Sequence, residues 1–286
     1  MIRFGPSGNS VSFYEQGYKS SFQMPEWLAK MGLNAYEYSC SKGVNIGRET
    51  AEKIGKNAGE FGIFLSIHAP YYINMASPES QKRENSKNYI IETLHAASWM
   101  GAKRIVVHTG STSKVDRKWA VETAKQVLGE SLAEADNLGF SDITICPEVL
   151  GKINQLGSIE EILELCSIDE RLIPTIDFGH LHARGMGCLN SPKDFENITD
   201  AIENSLGEYR LKHLHVHFSR IEFTAGGEKR HWTLDDTQFG PEFEHFAEII
   251  VKKNMEPVII CESRDQMAED ALRMKKIYEG CAKGKG

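Results

Sequence analysis

Short apolar runs alternate with longer amphipathic stretches along the chain. The apolar runs are rich in Ile and Val, and each is short enough to be a buried β-strand. They cover residues 1–5, 33–39, 63–69, 103–110, 142–148, 172–179, 211–218 and 257–263. The stretches between them carry helix signals, such as a capping box from Ser158 to Glu161. Regular alternation of this kind predicts parallel strands joined by crossover helices.

Eight strand–helix units fit the 286 residues of the chain. This number predicts one closed (β/α)8 TIM barrel, with a single domain over residues 1–286. An open, doubly wound sheet is the alternative fold. No Gly-x-Gly-x-x-Gly motif follows a predicted strand, so a dinucleotide-binding version of that sheet is disfavoured.

Composition narrows the function classes. The net charge of −7 argues against a broad positive surface for nucleic acid, but not against a local site where bound cations meet phosphates. Six scattered cysteines without a Cys-x-x-Cys pair predict reduced thiols. No apolar run approaches the roughly 20 residues that cross a bilayer, and the N-terminus lacks a signal-peptide pattern. We therefore expect a cytoplasmic protein without membrane contact.

Six consecutive predicted strands carry a histidine or carboxylate toward their C-terminal ends. Burying such groups is costly unless they are paired or bound to a cation. In a barrel these strand ends meet at one mouth, where loops build active sites. The six residues are His68, His108, Glu148, Asp177, His215 and Glu262.

This set predicts a metal centre. Its three carboxylates have no Lys or Arg in the set to balance them, and divalent ions supply the missing charge. Imidazole and carboxylate ligands without thiolate suit Zn²⁺, and also Mn²⁺ or Fe. The ligands outnumber the needs of one ion, so two or three ions fit better. The alternative is a polar rim held by hydrogen bonds and ion pairs.

The segment LKHLHVHFSR at 211–220 places His213, His215 and His217 at every second position. On a strand these three side chains share one face. We interpret His215 as a metal ligand and His217 as a pocket residue that touches substrate. His213 lies deeper along the strand, where we expect a hydrogen-bonded core imidazole.

Several segments together resemble the metal-dependent AP endonucleases of the endonuclease IV type, within the xylose-isomerase-like TIM-barrel superfamily. The resemblance covers nearly the whole chain in the same order. The most specific segment is SIHAPYYINMASP, whereas the isolated Glu and His positions are shared with the wider superfamily. The matching segments are SIHAPYYINMASP (66–78), VVHTGS (106–111), PEVLGK (147–152), TIDFGHLHARG (175–185), LKHLHVHFS (211–219), RHWTL (230–234) and CES (261–263).

The resemblance implies a zinc site of two or three ions. Glu148 and Glu262 would also orient the attacking water. The implied ligands are His68 and His108 for the first ion, Glu148 as a bridge, Asp177, His215 and Glu262 for the second ion, and His180 and His231 for the third. The residues assigned to substrate contact are Tyr71, Tyr72, His217 and Arg230.

Two departures from the family pattern stand out. The family has Asp-Arg-His before its last histidine ligand, whereas this chain has Glu-Lys-Arg-His, with Lys229 at the aspartate position. A protonated lysine cannot ligate zinc, so Glu228 is the alternative ligand, and Lys229 is predicted as a catalytic charge that stabilises the leaving oxygen. The loop at 39–49 is also shorter than in the family and has no aromatic residue.

The leading hypothesis is a hydrolase that cleaves the DNA phosphodiester 5′ to abasic sites in base excision repair, with zinc activating the attacking water. Its expected partner is double-stranded DNA with an abasic site, bound by a monomer. One alternative is a sugar isomerase or epimerase that uses a single divalent metal. Another is a catalytically silent DNA-binding module.

Overall fold

Eight parallel strands form the centre of the protein in the computed structural model, which describes residues 1–112 and 115–284. Each observed strand lies within or overlaps one of the eight predicted runs. The strands are β1 (Arg3–Pro6), β2 (Ala35–Ser39), β3 (Phe64–His68), β4 (Arg104–Val107), β5 (Thr144–Pro147), β6 (Thr175–Asp177), β7 (His215–Phe218) and β10 (Val258–Cys261).

The strands close into a ring. Hydrogen bonds order them β1-β10-β7-β6 in one sheet and β2-β3-β4-β5 in the other. Parallel bridges from Ser7 to Glu37 and from Glu148 to Thr175 join the two sheets. The predicted (β/α)8 barrel is therefore confirmed, and the open sheet is excluded. The single domain over 1–286 stays a prediction, and residues 113–114 and 285–286 lie outside the described part.

Helices cover the outside of the barrel. Alternate strand residues such as Ile67, Ile105 and Val216 pack against them in one continuous core. Within the described ranges, no helix is both long and apolar enough to cross a membrane. The helices are α1 (Val11–Glu15), α2 (Met24–Met31), α3 (Arg48–Phe61), α4 (Ser80–Met100), α5 (Arg117–Asn137), α6 (Ile159–Cys166), α7 (Phe178–Arg184), α8 (Pro192–Leu206), α9 (Glu208–Lys212), α10 (Phe243–Lys252) and α11 (Met267–Lys283).

An antiparallel hairpin of β8 (Arg220–Thr224) and β9 (Gly227–Trp232) follows β7 and was not predicted. Its pairing is irregular, because Glu222 lies opposite Arg230 while Phe223 lies opposite Glu228. Lys229 is therefore an extra residue on β9, which makes a β-bulge. This bulge decides which side chains of β9 face the barrel mouth.

The end of β6 also differs from the prediction. The strand stops at Asp177, because the Asp177 side chain accepts a hydrogen bond from the His180 backbone N–H at 2.8 Å and caps α7. Helix α7 therefore begins at Phe178, inside the predicted strand run. The cap fixes both Asp177 and His180 at the mouth.

Candidate metal centre

A cavity of about 440 Å³ opens at the C-terminal ends of the barrel strands. A second cavity of about 600 Å³ continues from it along the β8–β9 hairpin. The two share Tyr71, Glu228, His231 and Glu262. The histidines and carboxylates that line the first cavity are His68, His108, Glu148, His180, Glu228, His231 and Glu262.

Glu148 lies at the centre of the site and is fully buried. Its Oε2 is 3.0 Å from His108 Nε2 and 3.3 Å from His68 Nε2. Its Oε1 is 2.9 Å from His217 Nδ1. One carboxylate thus faces two separate sets of imidazoles, which is the geometry of a bridging ligand.

His217, and not His215, faces the carboxylates of the mouth. Its Nδ1 lies 2.9 Å from Glu148 and 3.4 Å from Glu262. Glu148, Asp177, His217 and Glu262 each offer a ligand atom within 4.8 Å of the others. The His217 side chain is fully buried, so the structure does not expose it for the substrate contact that the sequence predicted.

His215 lies one layer deeper in the barrel. Its Nε2 is 2.9 Å from Glu37 Oε2, and both side chains are fully buried. Burial lowers the pKa of His215 to about 4, although Glu37 opposes this shift. His215 lies in a candidate ligand group with Glu37 and His217, below the carboxylates of the mouth, because β7 begins at His215 and ends with His217 and Phe218. Its role as a metal ligand stays a prediction. His213 precedes the strand, and its ring lies against Tyr209.

Glu37 also lies at the site, although the sequence pattern did not predict it there. It is a carboxylate in the apolar β2 strand, in contact with both His215 and His217. Burial works against its charged form, but the facing imidazoles outweigh burial and hold the pKa of Glu37 well below its usual range. The signal in the sequence was a single Glu inside the run at 33–39.

One carboxylate oxygen of Asp177 is free to bind a metal ion. Its Oδ1 caps α7, whereas its Oδ2 is buried without a hydrogen-bond partner. The His180 ring lies 3.3 Å away, but the Nδ1–H of that ring donates to the Val149 carbonyl at 2.9 Å. A buried carboxylate oxygen left in this way is costly unless a cation meets it.

A second group of ligand atoms comes from His180, Glu228 and His231. Glu228 Oε2 is 3.4 Å from His180 Nε2, and Glu228 Oε1 is 3.8 Å from His231 Nε2. Residues three apart on a regular strand point to opposite faces. The bulge at Lys229 removes this mismatch and brings Glu228 to the face of His231. Glu228 therefore lies where the predicted third ion needs a carboxylate.

Lys229 itself lies away from these groups. Its side chain is about half exposed, and its amine pairs with Glu222 on the opposite strand of the hairpin. It borders the second cavity, together with Arg230. The structure therefore does not bring the Lys229 amine into the ligand cluster, contrary to its predicted place at the family's aspartate.

The carboxylates of the mouth raise the pKa of the histidines that face them. Burial disfavours a charged His68, but its hydrogen bond with Glu148 and the charge of that carboxylate raise its pKa to about 9. The pKa of His180 is likewise raised to about 9, because Asp177 and Glu228 outweigh burial. Metal ions compete with these protons for the same lone pairs.

The rim of the mouth carries the other residues assigned to substrate. The Tyr71 ring lies 5.1 Å from His68 and 5.2 Å from His108. Tyr72 is 60% exposed and does not border either cavity. Arg230 stacks on Trp232. Lys152 also borders the first cavity, so the mouth has a cationic side chain that the predicted set did not include.

The residues fit divalent metal ions on their own chemistry. His68 and His180 each donate Nδ1–H to a backbone carbonyl, of Ala69 at 2.8 Å and of Val149 at 2.9 Å. Each neutral ring then presents an Nε2 lone pair toward the cavity. Together with the partnerless Asp177 oxygen, these donors match the imidazole–carboxylate sites that bind zinc.

The barrel and its mouth define a TIM-barrel protein in which several groups of metal-ligand side chains surround one cavity. The chain belongs to the xylose isomerase-like TIM barrel family, whose family model matches residues 25–277. An uncharacterized protein of Methanocaldococcus jannaschii is 33% identical over 278 residues, 97% of each chain. A probable endonuclease 4 of Shouchella clausii is 26% identical over 232 residues, 76% of this chain and 75% of that protein.

Solved structures show the same fold. A D-tagatose 3-epimerase-like protein matches with a TM-score of 0.74 and 19% identity over 99% of both chains. Endonuclease IV from Thermus thermophilus matches with a TM-score of 0.71 and 18% identity over 99% of both chains. The resemblance to endonuclease IV is thus confirmed, and the same fold also occurs among epimerases.

Proposed function

We propose that this protein is a metal-dependent phosphodiesterase that cleaves DNA 5′ to abasic sites. The observation that carries the proposal is the number of ligand groups at one cavity. His68 and His108 face Glu148 on one side, and His180 and His231 face Glu228 on the other. A site for a single ion needs neither of these pairs. Paired ions are typical of enzymes that cleave phosphate esters.

Bound zinc ions, or Mn²⁺ in their place, would supply the positive charge that activates a water and offsets the charge of the phosphate. The side chains of this protein would hold these ions and orient the attacking water. We propose His68, His108 and Glu148 as one ligand set and His180, Glu228 and His231 as another. Glu148 also belongs to the central set with Asp177, His217 and Glu262.

The outer residues would position the DNA. Tyr71 offers a ring for stacking beside the first cavity, and Tyr72 offers an exposed ring on the same loop. Arg230 and Lys152 supply positive charge for backbone phosphates. This local charge would act despite the net charge of −7 of the chain. The relatives named probable endonuclease 4 support DNA as the substrate. We propose a cytoplasmic monomer.

A direct assay tests the proposal. The zinc-loaded protein is incubated with a duplex that contains one abasic site, and with the same duplex without damage. We expect a single break on the 5′ side of the abasic site, and no break after chelation. Glu148→Gln should abolish the break, whereas His213→Gln, outside the cavity, should retain it. An intact damaged duplex under every metal condition would refute the proposal.

A sugar isomerase or epimerase is the second candidate. Glu148, Asp177, His217 and Glu262 alone could hold one ion, and the D-tagatose 3-epimerase-like structure shares the fold. The number of bound metal ions separates the two functions. Two or three tightly held ions per chain favour the nuclease, and one exchangeable Mn²⁺ with turnover of ketoses favours the epimerase.

A further inference from the structure

Three histidines that face the cavity have a hydrogen-bond partner on the ring nitrogen that points away from it. In each of three rings, Nδ1 has a hydrogen-bond partner and Nε2 points toward the ligand groups. Such partners fix the tautomer and the orientation of a ligating imidazole. The pairs are His68 Nδ1 with the Ala69 carbonyl at 2.8 Å, His180 Nδ1 with the Val149 carbonyl at 2.9 Å, and His231 Nδ1 with the Ser219 hydroxyl at 2.8 Å.

His217 has the opposite orientation. Its Nδ1 faces Glu148 and Glu262, and its Nε2 faces Glu37 Oε1 at 3.0 Å. Neither His217 Nε2 nor Glu37 Oε1 has an aligned hydrogen-bond partner among the described residues. Each of these two buried atoms therefore has the other as its nearest available partner. The far-side partner of His217 is a carboxylate, whereas those of the other rings are neutral oxygens.

The Glu37 carboxylate is itself held in place from its other oxygen. Ser66 donates its hydroxyl hydrogen to Glu37 Oε2 at 2.8 Å, and His215 Nε2 lies 2.9 Å from the same oxygen. All three side chains are fully buried on barrel strands. Glu37 Oε1 is thus left to face His217 Nε2, at 3.0 Å.

We infer that Glu37 is a positioning residue for the metal centre, which holds His217 with its proton on Nε2 so that Nδ1 is the ligand atom. The inference rests on the metal site of the proposed function but not on its substrate. A carboxylate behind an imidazole makes the ring a stronger ligand. Glu37 would therefore strengthen binding of the ion at Glu148, Asp177, His217 and Glu262 without touching that ion.

Zinc affinity measured against a chromophoric chelator tests this role. We expect Glu37→Gln to bind one zinc about 10- to 100-fold more weakly than the wild-type protein, with the other ions unaffected. Glu60→Gln is the matched control, because it makes the same substitution at an exposed carboxylate of α3 that does not border the cavity. It should keep near wild-type affinity. Unchanged affinity in Glu37→Gln, or complete loss of one ion as expected for a direct ligand, would overturn the inference.

The wild-type protein provides a second test that does not depend on how the variant folds. In ¹⁵N spectra of histidine-labelled, zinc-loaded protein, we expect one zinc-bound imidazole to ligate through Nδ1 and the others through Nε2. If every zinc-bound ring ligates through Nε2, the inference is wrong. Neither readout uses DNA, so a protein that fails to cleave abasic DNA but shows the Nδ1 ligand would refute the proposed function alone.

Discussion

Glu228 shows how one extra residue changes the chemistry that a strand presents. The segment Glu228-Lys229-Arg230-His231 lies on β9. In regular strand geometry, Lys229 and His231 would share a face, and Glu228 would point away. The bulge opposite Glu222 and Phe223 reverses this arrangement, so that the carboxylate faces His180 and the lysine faces outward. The Glu228 carboxylate therefore occupies the ligand position that the sequence pattern assigned to Lys229.

We predict that Glu228→Gln loses one zinc ion per chain, because an amide is a weaker ligand and carries no charge to offset the ion. Lys229→Ala is the control, since this side chain pairs with Glu222 and not with the ligand groups. It should retain all the zinc. Elemental analysis after dialysis against a weak chelator measures both. Loss of zinc in Lys229→Ala together with full zinc in Glu228→Gln would show that the bulge does not operate as described.

The sequence could predict most of the candidate ligand residues at the mouth but not this arrangement. His68, His108, Glu148, Asp177 and Glu262 follow from strand ends alone, because parallel barrel strands end at one mouth. A bulge depends on cross-strand pairing, and the β8–β9 hairpin was not predicted at all. Whether His215 or His217 faces the carboxylates of the mouth depends on where β7 begins. Packing sets that point, and the local sequence pattern does not.

At the scale of elements, the loop from β5 to α6 is held by a network around Arg117 at the start of α5. Its guanidinium donates two hydrogen bonds of 2.7 Å to Glu161 and others to the carbonyls of Ile153 and Gln155. Glu161 also accepts hydrogen bonds from the backbone N–H groups of Gly157 and Ser158. This loop carries Lys152 and Gln155 to the edge of the cavity.

We predict that Glu161→Gln lowers the free energy of unfolding by about 1–2 kcal/mol at pH 7. Burial alone would raise the pKa of Glu161, but the hydrogen bonds from Arg117 and the loop outweigh it and lower that pKa. A carboxylate with a lowered folded-state pKa stabilises the fold above its unfolded value and loses this contribution as the pH falls through the folded value. The difference between wild type and variant should therefore shrink toward pH 3.

Urea unfolding at several pH values measures this effect. Glu160→Gln is the matched control, because Glu160 is an exposed neighbour on the same helix turn. It should change the stability by less than about 0.5 kcal/mol. A difference between wild type and Glu161→Gln that stays constant from pH 7 to pH 3 would contradict the assigned role of the carboxylate.

Gly151 in the same loop makes a close approach to the second ligand group. A Cβ atom there would lie 2.6 Å from the Glu228 Cβ and 3.0 Å from the His180 Cδ2. We predict that Gly151→Ala displaces Glu228 and loses zinc from the group with His180 and His231. Gly59→Ala is the control, since nothing lies within 4 Å of its added Cβ and an alanine favours helix α3. Full zinc in Gly151→Ala would show that the hairpin shifts without cost.

At the scale of the whole molecule, barrel closure gathers charge that the sequence spreads over about 225 residues, from Glu37 to Glu262. Glu37, Glu148 and Asp177 are all fully buried near the mouth. The carboxylates that face His68 and His180 raise the pKa of both imidazoles. Metal ions would therefore compete with protons for these rings.

Metal binding at the mouth would stabilise the folded protein. A ligand that binds only the folded state stabilises it by RT ln(1 + [L]/Kd), about 2.7 kcal/mol at a hundredfold excess over Kd. For a chain of this size, one such ion should raise the midpoint of thermal unfolding by about 4–5 °C. We expect the chelated protein to keep its far-ultraviolet circular dichroism and to unfold at the lower temperature.

His217→Gln should show a smaller zinc-dependent rise in this temperature than the wild type, because His217 contacts the central carboxylates. If chelation instead abolishes the secondary structure, metal binding is a condition of folding.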